Sequence, residues 1–523
     1  MPTRIAGLVA ILAALASPDA RAQNTATTVI TNGKILTVDA AFRVVQAVAI
    51  NDGRIVARGT NEEVARYAGP GTTVIDVKGA TVIPGLIDNH FHLTRAVDSW
   101  HRQVRFEGVD SHKKALELLA TKAAGMPPGE WIFVQGGWTP RQFADAPGGF
   151  ALEELDRAAP KNPLFVQEGY SFVYANSLAL KAVGLDPAGG AKRSAAGLAS
   201  FQPPAKLLDA IPPTSPAQLE QNLTDFLRAL NATGLTGVYS LGQSALLAAR
   251  AAKGPLPVRL WETLAFNATD PASATKAAAL IERSLPNQFN GNFGIFGLGE
   301  VLYGPFFDLA PRKDHWPAEI MNEYGKLATA AARGGWHVHQ HVINNSAVTD
   351  LLDTLEAVNK SQRIDRLRWT LGHVYDISSE NITRAKAMGM TLGVHGAAMQ
   401  AAAHMPLRRI ADSGIVFGLG TDATIVSHYS PFVTLGWVVS GLDVGGTRVL
   451  DETLTREEAL IAHTRSNAYL FFQENALGSL EVGKQADLVV LDRDYMTVPA
   501  AQIKDIRPTL TMVGGRVVYR AAD

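Results

Sequence analysis

The chain has 523 residues, more than one compact core usually holds, so two domains or one large barrel with an appendage are expected. Its 48 basic and 49 acidic residues nearly cancel and form no basic block or stripe, which argues against nucleic acid or an anionic membrane as a partner. There is no cysteine, which excludes disulfides and thiolate ligands, so any metal must be held by His and carboxylates, a donor set suited to zinc.

The chain starts Met1-Pro2-Thr3-Arg4, continues in an apolar run over 5–16 and reaches Ala20-Arg21-Ala22. A basic start, a short apolar stretch and an Ala-x-Ala site predict a secretory signal peptide over residues 1–22, with a mature chain beginning at Gln23 and a periplasmic or secreted location. That run is too short to span a bilayer, and no later stretch is long and apolar enough to do so. Residues 27–83 alternate short β-like runs with the turn signals Asn32-Gly33, Asn51-Asp52-Gly53 and Pro70-Gly71. The far C-terminus resumes this texture in Ala486-Asp487-Leu488-Val489-Val490-Leu491 and, after a Gly514-Gly515 turn, Arg516-Val517-Val518-Tyr519. One small composite β-sandwich domain built from residues 23–83 plus 477–523 is predicted.

The segment Val82-Ile83-Pro84-Gly85-Leu86-Ile87-Asp88-Asn89-His90-Phe91-His92 opens the middle of the chain, residues 84–476. Alternate side chains of a strand share a face, so His90 and His92 point the same way and make half of a metal site. Two strands follow, Trp131-Ile132-Phe133-Val134-Gln135 and Leu164-Phe165-Val166-Gln167, among helical and Pro/Gly-rich segments. From Thr236 the rhythm becomes regular, with strands at 238–241, 258–264, 293–300, 337–341, 368–373, 391–395 and 416–422. Helices are predicted between them, at 317–333, 346–358 and 381–388 among others. This alternation argues for a parallel sheet, and with the opening strand it supplies the eight strands that close an α/β fold of the (β/α)8 TIM barrel type. The two earlier strands then belong to a large insertion at about 93–233.

In such a barrel the chemistry sits at the C-terminal strand ends. His90 and His92 stand there on the first strand, Glu300 on the fourth, His341 on the fifth, His373 on the sixth and Asp422 on the eighth. Alone, a strand-terminal Asp can cap a helix and a His can be an ordinary polar residue; six zinc-type ligands ending five strands of one barrel point to a metal centre. His395 ends the seventh strand and is a candidate catalytic contact to substrate or oxyanion. Tyr303, Trp316, His428 and Tyr429, in loops on the same face, are candidate substrate-binding residues, with Phe306 and Phe307 as further aromatic lining. His337 and His339 share the face of His341 but lie deeper, where a hydrogen-bonded structural role is expected.

Taken as a set, the opening segment, His341-Val342-Ile343-Asn344-Asn345-Ser346, Gly372-His373, Gly420-Thr421-Asp422-Ala423 and Gly478-Ser479-Leu480-Glu481-Val482-Gly483-Lys484-Gln485-Ala486-Asp487 are specific. On them the chain resembles the amidohydrolase superfamily, in its type-3, N-substituted formamide deformylase-like branch, over about residues 27–520. The resemblance implies a metal-dependent hydrolase that cleaves the C–N bond of a small N-substituted amide, anilide or formamide. It implies one or two divalent ions, zinc before others, with His90, His92 and Asp422 holding one, His341 and His373 the other, Glu300 bridging and Asp422 moving the proton. Many members carry a carboxylated lysine on the fourth strand; no Lys lies between Lys276 and Lys313 here, which leaves Glu300 as the bridging carboxylate. Asn344-Asn345 stand where relatives often have Gly-Asp. The same site could open a lactone, an ester or a cyclic imide, and a few relatives are lyases or decarboxylases. A secreted metal-binding protein without turnover is a reading from another class, against which the intact Asp422 argues.

Overall fold

The computed structural model describes residues 25–170, 172–186, 200–201, 205–308 and 315–522. The predicted signal peptide lies outside the described residues. Eight parallel strands form the centre: β1 (Leu86–Phe91), β2 (Leu235–Ser240), β3 (Arg259–Thr263), β4 (Phe293–Glu300), β5 (His337–Val342), β6 (Thr370–His373), β7 (Thr391–His395) and β8 (Phe417–Gly420). They pair in sequence order. The last meets the first where the Asp422 N–H donates to the His90 carbonyl at 2.8 Å and the His92 N–H to that of Ala423 at 2.9 Å, so the sheet closes at its upper rim. The protein is therefore a TIM barrel, and every ligand candidate sits at that rim.

The outer helices follow from their apolar spacing. Ala318–Arg333 buries Met321, Tyr324, Leu327, Ala328 and Ala331, a stripe repeating at three and four residues, and it ends at Gly334-Gly335. Asn345–Ser361 buries Val348, Leu351, Leu352, Leu355 and Val358 in the same way. The floor of the barrel is aromatic: Tyr239 meets Phe296 edge-on at 5.7 Å, and His337 packs on Phe296 at 4.8 Å.

Both chain ends share one sheet. Strands Arg516–Arg520, Pro508–Val513, Leu488–Leu491, Thr81–Pro84, Lys34–Leu36 and Val44–Val45 lie in that order, and Val489 pairs antiparallel with Ile83. A second sheet holds Arg54–Gly59, Ala47–Asn51, Thr28–Thr31 and Thr73–Asp76, and the two bury Ile30, Ile50, Val82, Leu488 and Met512 in one core. Thr81–Pro84 runs through Gly85 straight into β1; a Cβ on that glycine would lie 2.2 Å from Thr236 Oγ1. Arg259 at the start of β3 is held by Asp487 of the β domain at 2.7 and 2.9 Å.

Between β1 and β2 lies a further sheet of Ser200–Phe201, Phe172–Ala175, Leu164–Glu168 and Ile132–Gln135, with its own core around Phe106, Trp138, Phe143 and Phe150. The helix Pro216–Ala232, within the predicted insertion, instead buries Leu223, Phe226, Leu227 and Leu230 against the barrel. The insertion leans on the barrel mouth, where the Gly137 N–H donates to the Ile425 carbonyl at 2.7 Å and Arg105 to that of Thr424 at 3.0 Å. Among the described residues no helix is long and apolar enough to cross a membrane.

Candidate active site

Side chains from five strands converge at the barrel mouth. Glu300 is central: its Oε2 lies 3.1 Å from His341 Nδ1, 3.2 Å from His373 Nε2 and 3.4 Å from His90 Nε2, while its Oε1 lies 3.3 Å from His92 Nε2. Asp422 Oδ1 faces His92 Nε2 at 3.2 Å and His90 Nε2 at 3.5 Å. Three sets of ligand atoms, His90/His92/Asp422, Glu300/His341/His373 and His90/His373/His395, each fall within 4.8 Å of one another among the described residues. The chain leaves two of these strands in the left-handed region, at φ 75° for His373 and 61° for Asp422, which aims both side chains inward at a steric cost typical of functional positions.

His90 and His341 are oriented from behind. The Asp88 carboxylate accepts from the His90 N–H at 3.0 Å and from the Thr421 hydroxyl at 2.7 Å, locking the ends of β1 and β8 together. His341 Nε2 is 2.9 Å from the Asp308 carbonyl, so its Nδ1 is the atom that faces Glu300. Asp308 is in turn fixed by the N–H and the side-chain amide of Asn344 at 3.0 and 2.9 Å. His90 Nδ1 meets His339 Nε2 at 2.9 Å.

The electrostatics suit a cation. Burial opposes ionisation of Glu300 and Asp422, but the imidazoles around them, His90 foremost, outweigh it and hold both carboxyls below their ordinary values. Burial pulls His90 itself down to about 4, against the opposing pull of Asp422 and Glu300. His90 Nε2 is buried without a hydrogen-bond partner and directed between the two carboxylates. Four imidazoles, one of them with an orphaned nitrogen, and two carboxylates fit one or two divalent ions.

A cavity of about 770 Å3 opens above the cluster, reached by His92, Glu300, His341, His373 and Asp422. Its walls differ from the expected ones. Tyr303 is buried in the barrel core beside Phe306, and Trp316 packs edge-on against Phe306 at 5.1 Å. His428 is buried below the insertion, and Tyr429 lines a separate cleft where Arg105 lies over its ring at 5.7 Å. None of these four lines the cavity. His395 is fully buried and also lies outside the lining; it sits beneath the cluster, with Nδ1 3.1 Å from His373 Nδ1. A direct contact of His395 with substrate is therefore replaced by a contact with a ligand.

Of the expected aromatic lining Phe307 does reach the cavity, and the other walls are made by Trp138, Thr139, Glu168, Tyr170, Phe172, Arg95, Tyr375 and Gln400. Phe307 lies against the His341 ring at 4.4 Å, and Tyr375 stands edge-on to His373 at 5.9 Å. Arg95 donates to the Tyr170 hydroxyl and has no ion-pair partner among the described residues. Its place three residues after His92 was a signal in the sequence that the reading of the chain did not use. The insertion residues carried none, since only the tertiary fold brings them over the barrel.

Four imidazoles and two carboxylates at the C-terminal rim of a closed barrel define a metal-dependent barrel hydrolase. Comparison with known proteins agrees. A family model described as "Amidohydrolase family" matches residues 73–519. The N-substituted formamide deformylase of Arthrobacter pascens is 27% identical over 94% of this chain and 98% of that protein. The putative amidohydrolase YtcJ of Bacillus subtilis is 25% identical over 91% and 96%. An uncharacterized metal-dependent hydrolase from Pyrococcus furiosus has the same fold, with a TM-score of 0.60 and 21% identity over 90% of this chain and 100% of that one. The chain belongs to the amidohydrolase family. It is an enzyme of the class that hydrolyses carbon–nitrogen bonds other than peptide bonds.

Proposed function

We propose that this protein is an exported zinc hydrolase of small N-substituted amides, formamides or anilides. The observation that carries the reading is Asp422, a carboxylate 3.2 Å from His92 at the base of the 770 Å3 cavity, among four imidazoles and Glu300. A bound divalent ion supplies Lewis acidity and lowers the pKa of water from 15.7 to about 7. His90, His92 and Asp422 would hold one ion, and His341 and His373 another, with Glu300 shared. Asp422, held ionised by its histidines, is the base that accepts the proton from the attacking water and hands it to the departing nitrogen. Trp138 and Phe307, with Tyr170 and Phe172 at the exposed rim, offer an apolar wall to an N-substituent. The likeness to the Arthrobacter deformylase over nearly the full length of both chains supports the amide reading.

A second reading, hydrolytic opening of a ring C–N bond, is favoured by the 24% identity to the imidazolonepropionase of Symbiobacterium thermophilum over 87% of this chain. The deciding experiment is a panel of formamides, anilides, cyclic imides, lactones and esters, assayed on zinc-loaded and chelator-stripped protein. Turnover of open-chain amides that disappears with chelation and returns with zinc is the expected result. Turnover confined to lactones and esters would overturn the amide reading, and full activity after stripping would overturn the metal. Export is read from Ala20-Arg21-Ala22 behind its apolar run, and mass spectrometry of the protein from a Gram-negative periplasm should find Gln23 as the first residue. A chain still beginning at Met1 would contradict it.

A further inference from the structure

Strands β6, β7 and β8 carry glycine in the layer just beneath the metal ligands. A Cβ on Gly372 would lie 2.7 Å from His339 Nε2, one on Gly393 2.8 Å from His395 Nε2, and one on Gly418 1.9 Å from Asn467 Oδ1. The room so made is filled by polar side chains, His339, His395, Asn89 and Asn467, all fully buried. An apolar layer would pack as well without the cost of desolvating amides and imidazoles, so these groups must be used in pairs.

The hydrogen bonds that run from Asn467 through Asn89 to His395 and His373 have one consistent set of directions. Asn467, on the helix Arg465–Leu470, sends its amide nitrogen to two backbone carbonyls, those of Ile87 and of Leu419 at 2.7 Å, which only accept. Its Oδ1 therefore accepts from Asn89 Nδ2 at 2.8 Å. That leaves Asn89 Oδ1 facing His395 Nε2 at 3.1 Å, and an amide oxygen can only accept, so Nε2 carries the proton. A cationic imidazole with no carboxylate in contact would be costly at full burial, so His395 is neutral and its Nδ1 is a lone pair. His373 Nδ1, 3.1 Å away, must donate to it. With the proton there, His373 Nε2 is left unprotonated on the side where Glu300 stands at 3.2 Å.

We propose that His395 is a positioning residue of the metal centre: the chain Asn467, Asn89, His395 holds His373 as its Nδ1–H tautomer and so makes Nε2 the ligating atom. This rests on the metal reading of the site and is independent of the substrate. It also explains why a histidine ends β7 yet never reaches the cavity.

The test uses zinc affinity by chelator competition on the purified full-length protein, for His395→Gln and His395→Met. Glutamine supplies an amide oxygen that accepts from His373 Nδ1 and should keep zinc binding close to the parent, whereas methionine has similar bulk but no such acceptor and should bind zinc about 10–100-fold more weakly. Equal affinity in parent and His395→Met would overturn the proposal, as would an equal loss in both variants, which a purely packing role predicts. Should a variant fail to fold, the parent decides: two-bond 15N–1H couplings in zinc-loaded, 15N-histidine-labelled protein should show His395 protonated at Nε2 and His373 at Nδ1. Either proton on the other nitrogen would overturn it.

Discussion

Asp422 touches His92 and His90 while facing the cavity, so it is placed both to ligate and to move a proton. Asparagine keeps its size and one oxygen but accepts no proton, so Asp422→Asn should retain most of the metal held by the histidines while kcat falls by about 10²–10⁴. Metal analysis and kcat on the same preparation check this, and a metal-loaded, nearly full-speed variant would refute the proton role. Glu300 faces all four histidines, and no lysine stands near it on β4. Activity should therefore be indifferent to dissolved bicarbonate, whereas Glu300→Ala should lose bound metal; reactivation of the parent by bicarbonate would count against the assignment. Arg95 is a cation on the cavity wall that donates to the Tyr170 hydroxyl and has no ion-pair partner among the described residues. Arg95→Met should raise KM for amides bearing a carboxylate by about tenfold, the worth of one charge-assisted hydrogen bond, and leave KM for neutral amides nearly unchanged.

At the scale of elements, periodicity located the helices well but their ends less so. The helix expected at 346–358 runs Asn345–Ser361, because Lys360 and Ser361 continue its exposed side without any stop signal until the extended Gln362. A loop of the β domain gives a pH-dependent prediction. Asp39 accepts from the Arg43 N–H at 3.1 Å and from Arg43 Nε at 2.7 Å, and it pairs with Arg58 at 2.9 Å. Burial works against its ionisation, but the bonds from Arg43 and Thr37 and the Arg58 charge prevail and lower it from 3.8 to about 2. A depressed folded value means stability that is present above the unfolded pKa and lost as pH falls through the folded one. Asp39→Asn should thus cost about 1–3 kcal/mol near neutral pH, with parent and variant converging as pH drops from about 4 to 2 in denaturant titrations.

For the whole molecule, the candidate metal ligands stand on or just after β1, β4, β5, β6 and β8, so an ion bound among them would tie together residues 90 to 422 of the chain. Zinc that binds only the folded state should stabilise it by about 2.7 kcal/mol at a hundredfold excess over Kd, readable as a rise in Tm that Asp422→Asn largely keeps and His90→Ala loses. A Tm unmoved by zinc in the parent would argue against the centre.

His90, His92, Glu300, His341, His373 and Asp422 were readable in the chain itself, because a strand end is a local property: an apolar run stops, and the residue that stops it stands at the barrel rim. The eight-strand count was readable for the same reason, from the two-residue and 3.6-residue periods of strands and helices. The cavity wall was not. Trp138, Tyr170 and Phe172 reach the cluster only because a separate sheet docks on the mouth, while Tyr303, Trp316, His428 and Tyr429 follow the right strands yet turn outward to pack. His395 shows the division most sharply. Its place at the end of β7 was written in the sequence, but whether it faces substrate or a neighbouring ligand depended on Gly393, Asn89 and Asn467 being brought to one layer, and that is a matter of three-dimensional packing between residues up to 378 positions apart.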